Sequence, residues 1–316
     1  MTDRIDSLES FDINGSNQWL LLRGNPLAHR VLLIVQQGPG LPLINDARAL
    51  ERRLHLEGGA VVAYWDQRGT GRSCDVDSST ISLTQVVADV RSIVDALCKR
   101  LSVDRVDILG FSFGATIAVM AGAENPARIG HIVAVGIDID FPEAERYAHA
   151  FACDEAKRRG NRRAQRQLRA IGAPPHDTAK KFSTRAKWLT AFGGVRRDMG
   201  YLGLLWTTVR GLFGSPHYSI RQAVRALRAI ERTQGLMLPH LRDFDLRKLV
   251  SRIEVPITFF QGRHDFATVP ALVASYADTI VATRGKSLVW FDNSAHMPYF
   301  EEPVRFREAL LDVLAY

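Results

Sequence analysis

Apolar and polar positions change period repeatedly along the first 140 residues. Short apolar runs at 19–22, 31–35, 60–65, 105–110 and 131–136 have the length of strands. The run at 31–35, Val-Leu-Leu-Ile-Val, lacks any polar alternation, as expected of a strand buried on both faces. Between these runs the period lengthens. Val86, Val87, Val90, Val94, Leu97 and Leu101 recur at helical spacing over 83–101. Residues 45–56 read as a helix with Asn45 as its candidate N-cap, and 113–123 as another. Strands alternating with helices predict βαβ units and a mostly parallel sheet.

From about residue 141 to 247 that alternation stops. The segment is arginine-rich and helical in tendency, interrupted by Ala-Pro-Pro at 173–175, Gly-Gly at 193–194 and Gly-Ser-Pro at 214–216. At Val255 the earlier pattern resumes, with strands at 256–262 and 287–291 and helices at 270–280 and 303–316. The expectation is one α/β domain built from residues 1–140 and 248–316, with a helical cap, 141–247, inserted into it. A length of 316 residues suits this organisation.

Charge sharpens the division. The net charge is +7, yet Lys and Arg outnumber Asp and Glu more than two to one within 141–247, and acids exceed bases elsewhere. Such a basic segment is either a solvated helical surface or a face for an anionic substrate or an acidic carrier protein. No nucleic-acid motif accompanies it. No apolar run reaches membrane-spanning length. Residues 1–15 are acidic and polar, without the basic and then apolar order of a secretory signal. Cys74, Cys98 and Cys153 are odd in number and lack metal-ligand spacing. These features predict a cytoplasmic protein with no metal, membrane or nucleic-acid partner.

The chemistry is carried by Gly110-Phe111-Ser112-Phe113-Gly114, a Gly-x-Ser-x-Gly set between a strand and a helix. A sharp turn there exposes the serine hydroxyl, and the glycines let neighbouring backbone approach. The helix that follows aims its first amides at the serine and favours developing negative charge. A serine needs a base, and in this topology an acid and then a histidine follow it. His296 lies just after the last strand and Asp265 after the preceding one. Asp138 and Asp140, after an earlier strand, are rival acids. His55, His149, His176, His217 and His240 fall in helical or cap sequence and read as surface or packing residues, and His264 reads as a loop residue. Two backbone N–H groups should hold the oxyanion. One is that of Phe113, and the other comes from Gln36-Gln37-Gly38-Pro39-Gly40, where Gly38 is the first candidate and Gln37 the second.

With these motifs in place the chain resembles the α/β-hydrolase superfamily, and within it the prolyl aminopeptidase (proline iminopeptidase)-like group. The resemblance rests on QQGPG at 36–40, WDQRGTGRS at 65–73, GFSFG at 110–114, GRHD at 262–265 and SAHMPYFEEP at 294–303. It implies an eight-stranded, mostly parallel sheet under a helical cap, a Ser112–Asp265–His296 triad and no required cofactor. It also implies that Asp66 and Arg68 support the loops around the site. Two departures stand out. Gln36 and Gln37 replace the His-Gly of the group's loop, so their amides either bind a polar substrate or brace the loop. The cap is basic, whereas aminopeptidases of this group are expected to bind an α-amine with acidic cap residues; Glu143, Glu145, Asp154, Glu155 and Glu231 are the local candidates. The expected function is a serine hydrolase acting on a small amide, short peptide or ester. The alternatives are a thioesterase, a lyase or cyclase on the same fold, or a non-catalytic binding protein.

Overall fold

The computed structural model describes residues 4–314. Its strands are β1 Ile5–Ile13, β2 Ser16–Gly24, β3 Val31–Val35, β4 Val61–Asp66, β5 Val106–Phe111, β6 Ile129–Val135, β7 Arg252–Ile253, β8 Ile257–Gly262, β9 Val281–Ala282 and β10 Lys286–Phe291. Eight of them form one sheet in the order β1-β2-β4-β3-β5-β6-β8-β10. The pairs from β4 to β10 are parallel, and β1–β2 and β2–β4 are antiparallel. β7 and β9 pair separately. The helices are α1 Ala47–Leu54, α2 Leu83–Leu101, α3 Phe113–Glu124, α4 Phe141–Arg158, α5 Arg162–Ile171, α6 Ala179–Ala191, α7 Tyr201–Gly214, α8 Ile220–Leu241, α9 Leu246–Leu249, α10 Pro270–Thr279, α11 Pro298–Glu301 and α12 Pro303–Leu314.

The unbroken apolar run of β3 is explained by its position. Every residue of the strand is buried. Val31, Leu33 and Val35 pack on one face with α2 and α3, while Leu32 and Ile34 pack on the other with α1 and α12. Helices cover both faces of the sheet, which is why its central strands need no polar side. α4 to α9 all lie in the chain between β6 and β7. Ala152, Ala156, Ala164, Leu168, Trp188 and Phe192 join α4, α5 and α6 in a small core of their own.

Two local expectations differ from the structure. β1 has no counterpart in the sequence reading. Its apolar residues Ile5, Leu8, Phe11 and Ile13 do not alternate, and an edge strand of this kind lacks a period-2 signal. Asn45 does not cap α1. It lies inside a short 3₁₀ turn, and α1 begins at Ala47. The amides that open this turn, Leu43 N–H and Ile44 N–H, donate instead to Asp66 Oδ1 at 2.8 and 3.0 Å. A carboxylate distant in sequence has replaced a local cap. The terminal helix is described as far as Leu314, and the last two residues of the 303–316 reading lie outside the described residues.

Arg68 and Asp89 anchor the loop after β4. Both are almost fully buried. Arg68 donates to both carboxylate oxygens of Asp89, at 2.6 and 2.9 Å, and Gln18, Asn14 and Gln85 donate to the same carboxylate. Removing one partner leaves a buried charge without compensation. Asp89→Ala is therefore expected to destabilise the fold by about 3–5 kcal/mol, measured as a shift in the urea midpoint. A change within the ordinary range of surface mutations would contradict this reading of the pair.

Candidate active site

The turn after β5 is built around Ser112, whose φ of 52° and ψ of −123° lie outside the regions normal for a residue with a side chain. Holding it there costs about 1–3 kcal/mol. The flanking glycines make the turn fit. A Cβ on Gly110 would lie 2.5 Å from Ala115 Cα, and one on Gly114 would lie 2.2 Å from the Val35 carbonyl oxygen and 2.5 Å from that of Gln36. The backbone at Gly114 thus presses directly on the end of β3 and sets the turn beside the Gln-Gln loop. Ser112 N–H donates to the Val135 carbonyl at 2.8 Å, tying the turn to the end of β6. The hydroxyl stands at the N-terminus of α3, where the first amides have no intrahelical acceptor.

Asp265 and His296 meet beside this turn. His296 Nδ1 lies 2.8 Å from Asp265 Oδ2. Gly136, next to Val135, passes under the pair with φ 54°; a Cβ there would lie 2.9 Å from His296 Nδ1. The structure thus gathers Ser112, Asp265 and His296 at the carboxyl edge of β5, β6, β8 and β10. No hydrogen bond links the Ser112 hydroxyl to His296 among the described residues. Such contacts are often long without substrate and tighten in the reacting complex. All three side chains are nearly closed to solvent, with exposures of 9%, 0% and 7%.

Asp265 is heavily solvated by protein. Its Oδ1 accepts from Ala267 N–H at 2.7 Å and Thr268 N–H at 3.0 Å, and its Oδ2 accepts from the Thr268 hydroxyl at 2.7 Å and Gln261 Nε2 at 3.0 Å. Burial pushes this carboxyl up, but the charge of His296 and these hydrogen bonds outweigh it and hold the group below its ordinary value. Burial pulls His296 down, and Asp265, Asp138 and Glu301 more than compensate, so the imidazole ends above its ordinary value. The α6–α7 connection braces both loops. Val195 accepts from His296 N–H at 3.0 Å, and Gly194 accepts from Phe266 N–H at 3.1 Å.

Asp138 stands near this pair without a hydrogen bond to His296 from its side chain. Burial and the neighbouring Asp265 raise its carboxyl to about 6, against the opposing pull of His296 and Arg185. Asp140, the other rival acid, caps α4 by accepting from Glu143 N–H at 2.9 Å and pairs with Arg247.

The Gln-Gln loop uses its first amide on itself. Gln36 Oε1 accepts from Gln37 N–H at 2.9 Å, and Gln36 Nε2 donates to the Pro42 carbonyl at 3.1 Å. Gln67 Nε2 donates to the Gln36 carbonyl at 3.0 Å. Gln37 N–H is thereby occupied. The N–H groups of Gly38 and Phe113 have no acceptor among the described residues. Asp66 ties the surrounding loops: besides Leu43 and Ile44 it accepts from Arg72 N–H at 2.8 Å and from the Tyr218 hydroxyl.

The acidic residues named for amine recognition are mostly engaged. Glu145 is buried and bonds His176 Nδ1 and Arg185 Nη2, each at 3.1 Å. Glu143 pairs with Arg146, Glu155 with Arg158 and Arg159, and Asp154 with Lys157. Glu231 is exposed. Among the described residues no group of three His, Cys, Asp or Glu side chains stands together to hold a metal, and no helix is long and apolar enough to cross a membrane. Sequence reasoning missed Gln261, Thr268, Gly136 and Val195. Only Thr268 had a local signal, since a hydroxyl three residues after a loop aspartate is a common turn partner.

The chain is similar to known proteins of this fold. The serine aminopeptidase S33 family model matches residues 47–187, a span that contains Ser112 but neither Asp265 nor His296. A probable aminopeptidase of Bacillus subtilis is 25% identical over 309 residues, which cover 96% of this chain and 94% of that protein. A proline iminopeptidase of Heyndrickxia coagulans is 23% identical over 319 residues, 98% of this chain and 94% of that one. A solved proline iminopeptidase-related protein of Thermus thermophilus superposes with a TM-score of 0.67 at 19% identity, over 98% of both chains. Fold, motif order and these similarities together give the chain the α/β-hydrolase fold and a likeness to the prolyl aminopeptidase-like group.

Proposed function

We propose that the chain is a serine hydrolase in which Ser112, His296 and Asp265 act as a triad under a helical cap formed by α4 to α9. Ser112 Oγ attacks the substrate carbonyl while His296 Nε2 takes its proton. Asp265 keeps the Nδ1 proton in place and stabilises the imidazolium. The tetrahedral oxyanion accepts from the N–H groups of Phe113 and Gly38, a stabilisation of about 2.7–4 kcal/mol for a well-placed donor. His296 then gives its proton to the leaving group, and water, activated by the same imidazole, releases the acyl group from Ser112. The observation that carries this reading is the hydrogen-bonded Asp265–His296 pair lying over Gly136, beside a serine held at positive φ.

The substrate is an ester or amide of modest size, with Gln37 on its side of the loop and Gln36 bracing that loop. Release of an N-terminal residue from a short peptide fits the similarities to aminopeptidases. The pairing of Glu145 with Arg185 and His176 removes one amine-binding carboxylate and favours an uncharged ester or amide end instead. Three free cysteines fit a reducing cytoplasm.

A fluorophosphonate probe tests the triad. A stoichiometric adduct on Ser112, located by peptide mass spectrometry and lost in His296→Ala, is the expected result. A folded protein that takes no adduct would overturn the proposal. Turnover with no water added to the product would point to a lyase or cyclase instead.

A further inference from the structure

A cavity of about 620 Å³ opens between α1 and α7. Its inner wall includes Gln36 and Gln37 of the oxyanion loop, and Met297, the residue after His296. It therefore begins one residue from Gly38 and one residue from the proposed base. Arg48, Arg52 and Arg53 of α1 line it from the sheet side, and Arg196 and Arg210 line it from the cap.

These arginines are poorly balanced. Arg196 has a carboxylate, Asp198, at 2.9 Å. Arg48, Arg52, Arg53 and Arg210 have none within ion-pair distance among the described residues. Arg53 and Arg196 both stand over the Phe300 ring, 4.8 and 4.7 Å from its centroid. Both guanidinium groups thus face one aromatic ring, and the acids that act on Arg53 are Asp198, already bonded to Arg196, and Asp46. Burial, and then repulsion from Arg196 and Arg52, pulls Arg53 below its ordinary value. One acid, Asp46, lines the same cavity. Its carboxyl is raised to about 7 by burial and by Asp66, so at neutral pH it carries about half a charge against that of several arginines. Leu41, Pro42, Ile44, Leu204 and Met297 add apolar wall near the loop. A cavity with apolar wall beside the Gln-Gln loop and guanidinium groups without carboxylate partners around it suits a ligand with the matching polarity.

We propose that the substrate carries a carboxylate or phosphate group, separated by a short apolar stretch from the carbonyl that Ser112 attacks, and that Arg48, Arg52, Arg53 and Arg210 bind this anion. The inference rests on the serine-hydrolase reading and adds a substrate class to it. Carboxylate and phosphate share the bidentate chemistry a guanidinium offers.

The test compares a neutral p-nitrophenyl butyrate with the mono-p-nitrophenyl ester of glutaric acid, which ends in a carboxylate. The anionic ester is expected to have about tenfold higher kcat/KM at low salt, with the preference shrinking as salt is added. In Arg53→Gln/Arg210→Gln the ratio of the two rates should fall toward one, while Arg166→Gln, on α5 and outside the cavity, should keep it. Competition by free glutarate against inorganic phosphate, read as KM shifts on the neutral ester, separates a carboxylate site from a phosphate site. Equal rates on both esters, unchanged by the double substitution, would overturn the inference. Labelling of Ser112 by fluorophosphonate in the same preparation distinguishes that failure from failure of the triad itself.

Discussion

Replacing Ser112 by alanine is expected to lower kcat on an ester substrate by about 10⁴- to 10⁶-fold. The size follows from what remains. Without the hydroxyl no acyl-enzyme forms, and only the amides of Gly38 and Phe113, together with binding, still favour attack by water. The substitution should leave the fold intact. The Ser112 hydroxyl has no hydrogen-bond partner among the described residues, and alanine carries the same Cβ at the same φ of 52°. Turnover and denaturation midpoint measured on one preparation separate the two effects. Undiminished turnover with a native midpoint would remove Ser112 from the mechanism.

Asp265→Asn should be nearly as severe, with a loss of about 10⁴-fold in kcat. Both carboxylate oxygens accept hydrogen bonds, Oδ1 from two backbone amides and Oδ2 from His296, Gln261 and Thr268. An asparagine must turn its NH₂ toward one of these sets of donors. Facing Oδ2's partners it pushes His296 into the wrong tautomer, and facing Oδ1's it abandons the loop at 267–268. The pH profile separates this role from simple loss of structure. A base works only when neutral, so activity disappears as pH falls through the His296 pKa. That pKa is raised, so the acid limb of kcat/KM should lie above the ordinary imidazole value of about 6.5. Asp265 is the charge that does most to raise it, so without that charge the limb should move to lower pH. Asp138→Asn should shift the limb in the same direction but cost much less turnover, because Asp138 acts on His296 without a hydrogen bond. Equal losses from the two substitutions would mean that the acid has been assigned to the wrong strand.

The legible parts of this protein were those whose signal is local or ordered along the chain. β3 was visible because a doubly covered strand has no polar face to show. α2 was visible because its stripe runs for five turns. Ser112, Asp265 and His296 stand out through a motif, a strand end and a chain order, and the fold brings the last two into contact. What escaped was tertiary. Asn45 looked like a cap, yet Asp66 took over that work from the far side of β4. Gln36 could have faced a substrate, and only the folded loop brings its amide to Gln37 N–H and the Pro42 carbonyl. Arg48, Arg52 and Arg53 carried no signal in the sequence. Only the fold brings them to one cavity wall opposite α7, which is distant in sequence.

The contact between Gly114 and the end of β3 has a consequence for the protein's motions. The Val35 and Gln36 carbonyls sit where a side chain on Gly114 would be, so α3 and β3 cannot separate without breaking the centre of the sheet. The turn at Ser112 is thus not a loosely attached loop that frays on its own. Its opening is expected to belong to the most protected cooperative unit of the molecule. In native-state hydrogen exchange the amides of Val35 and Ser112 should exchange with the free energy of global unfolding, long after those of α7. Reactivity of Ser112 toward a probe would then serve, across a denaturant series, as a count of fully folded molecules.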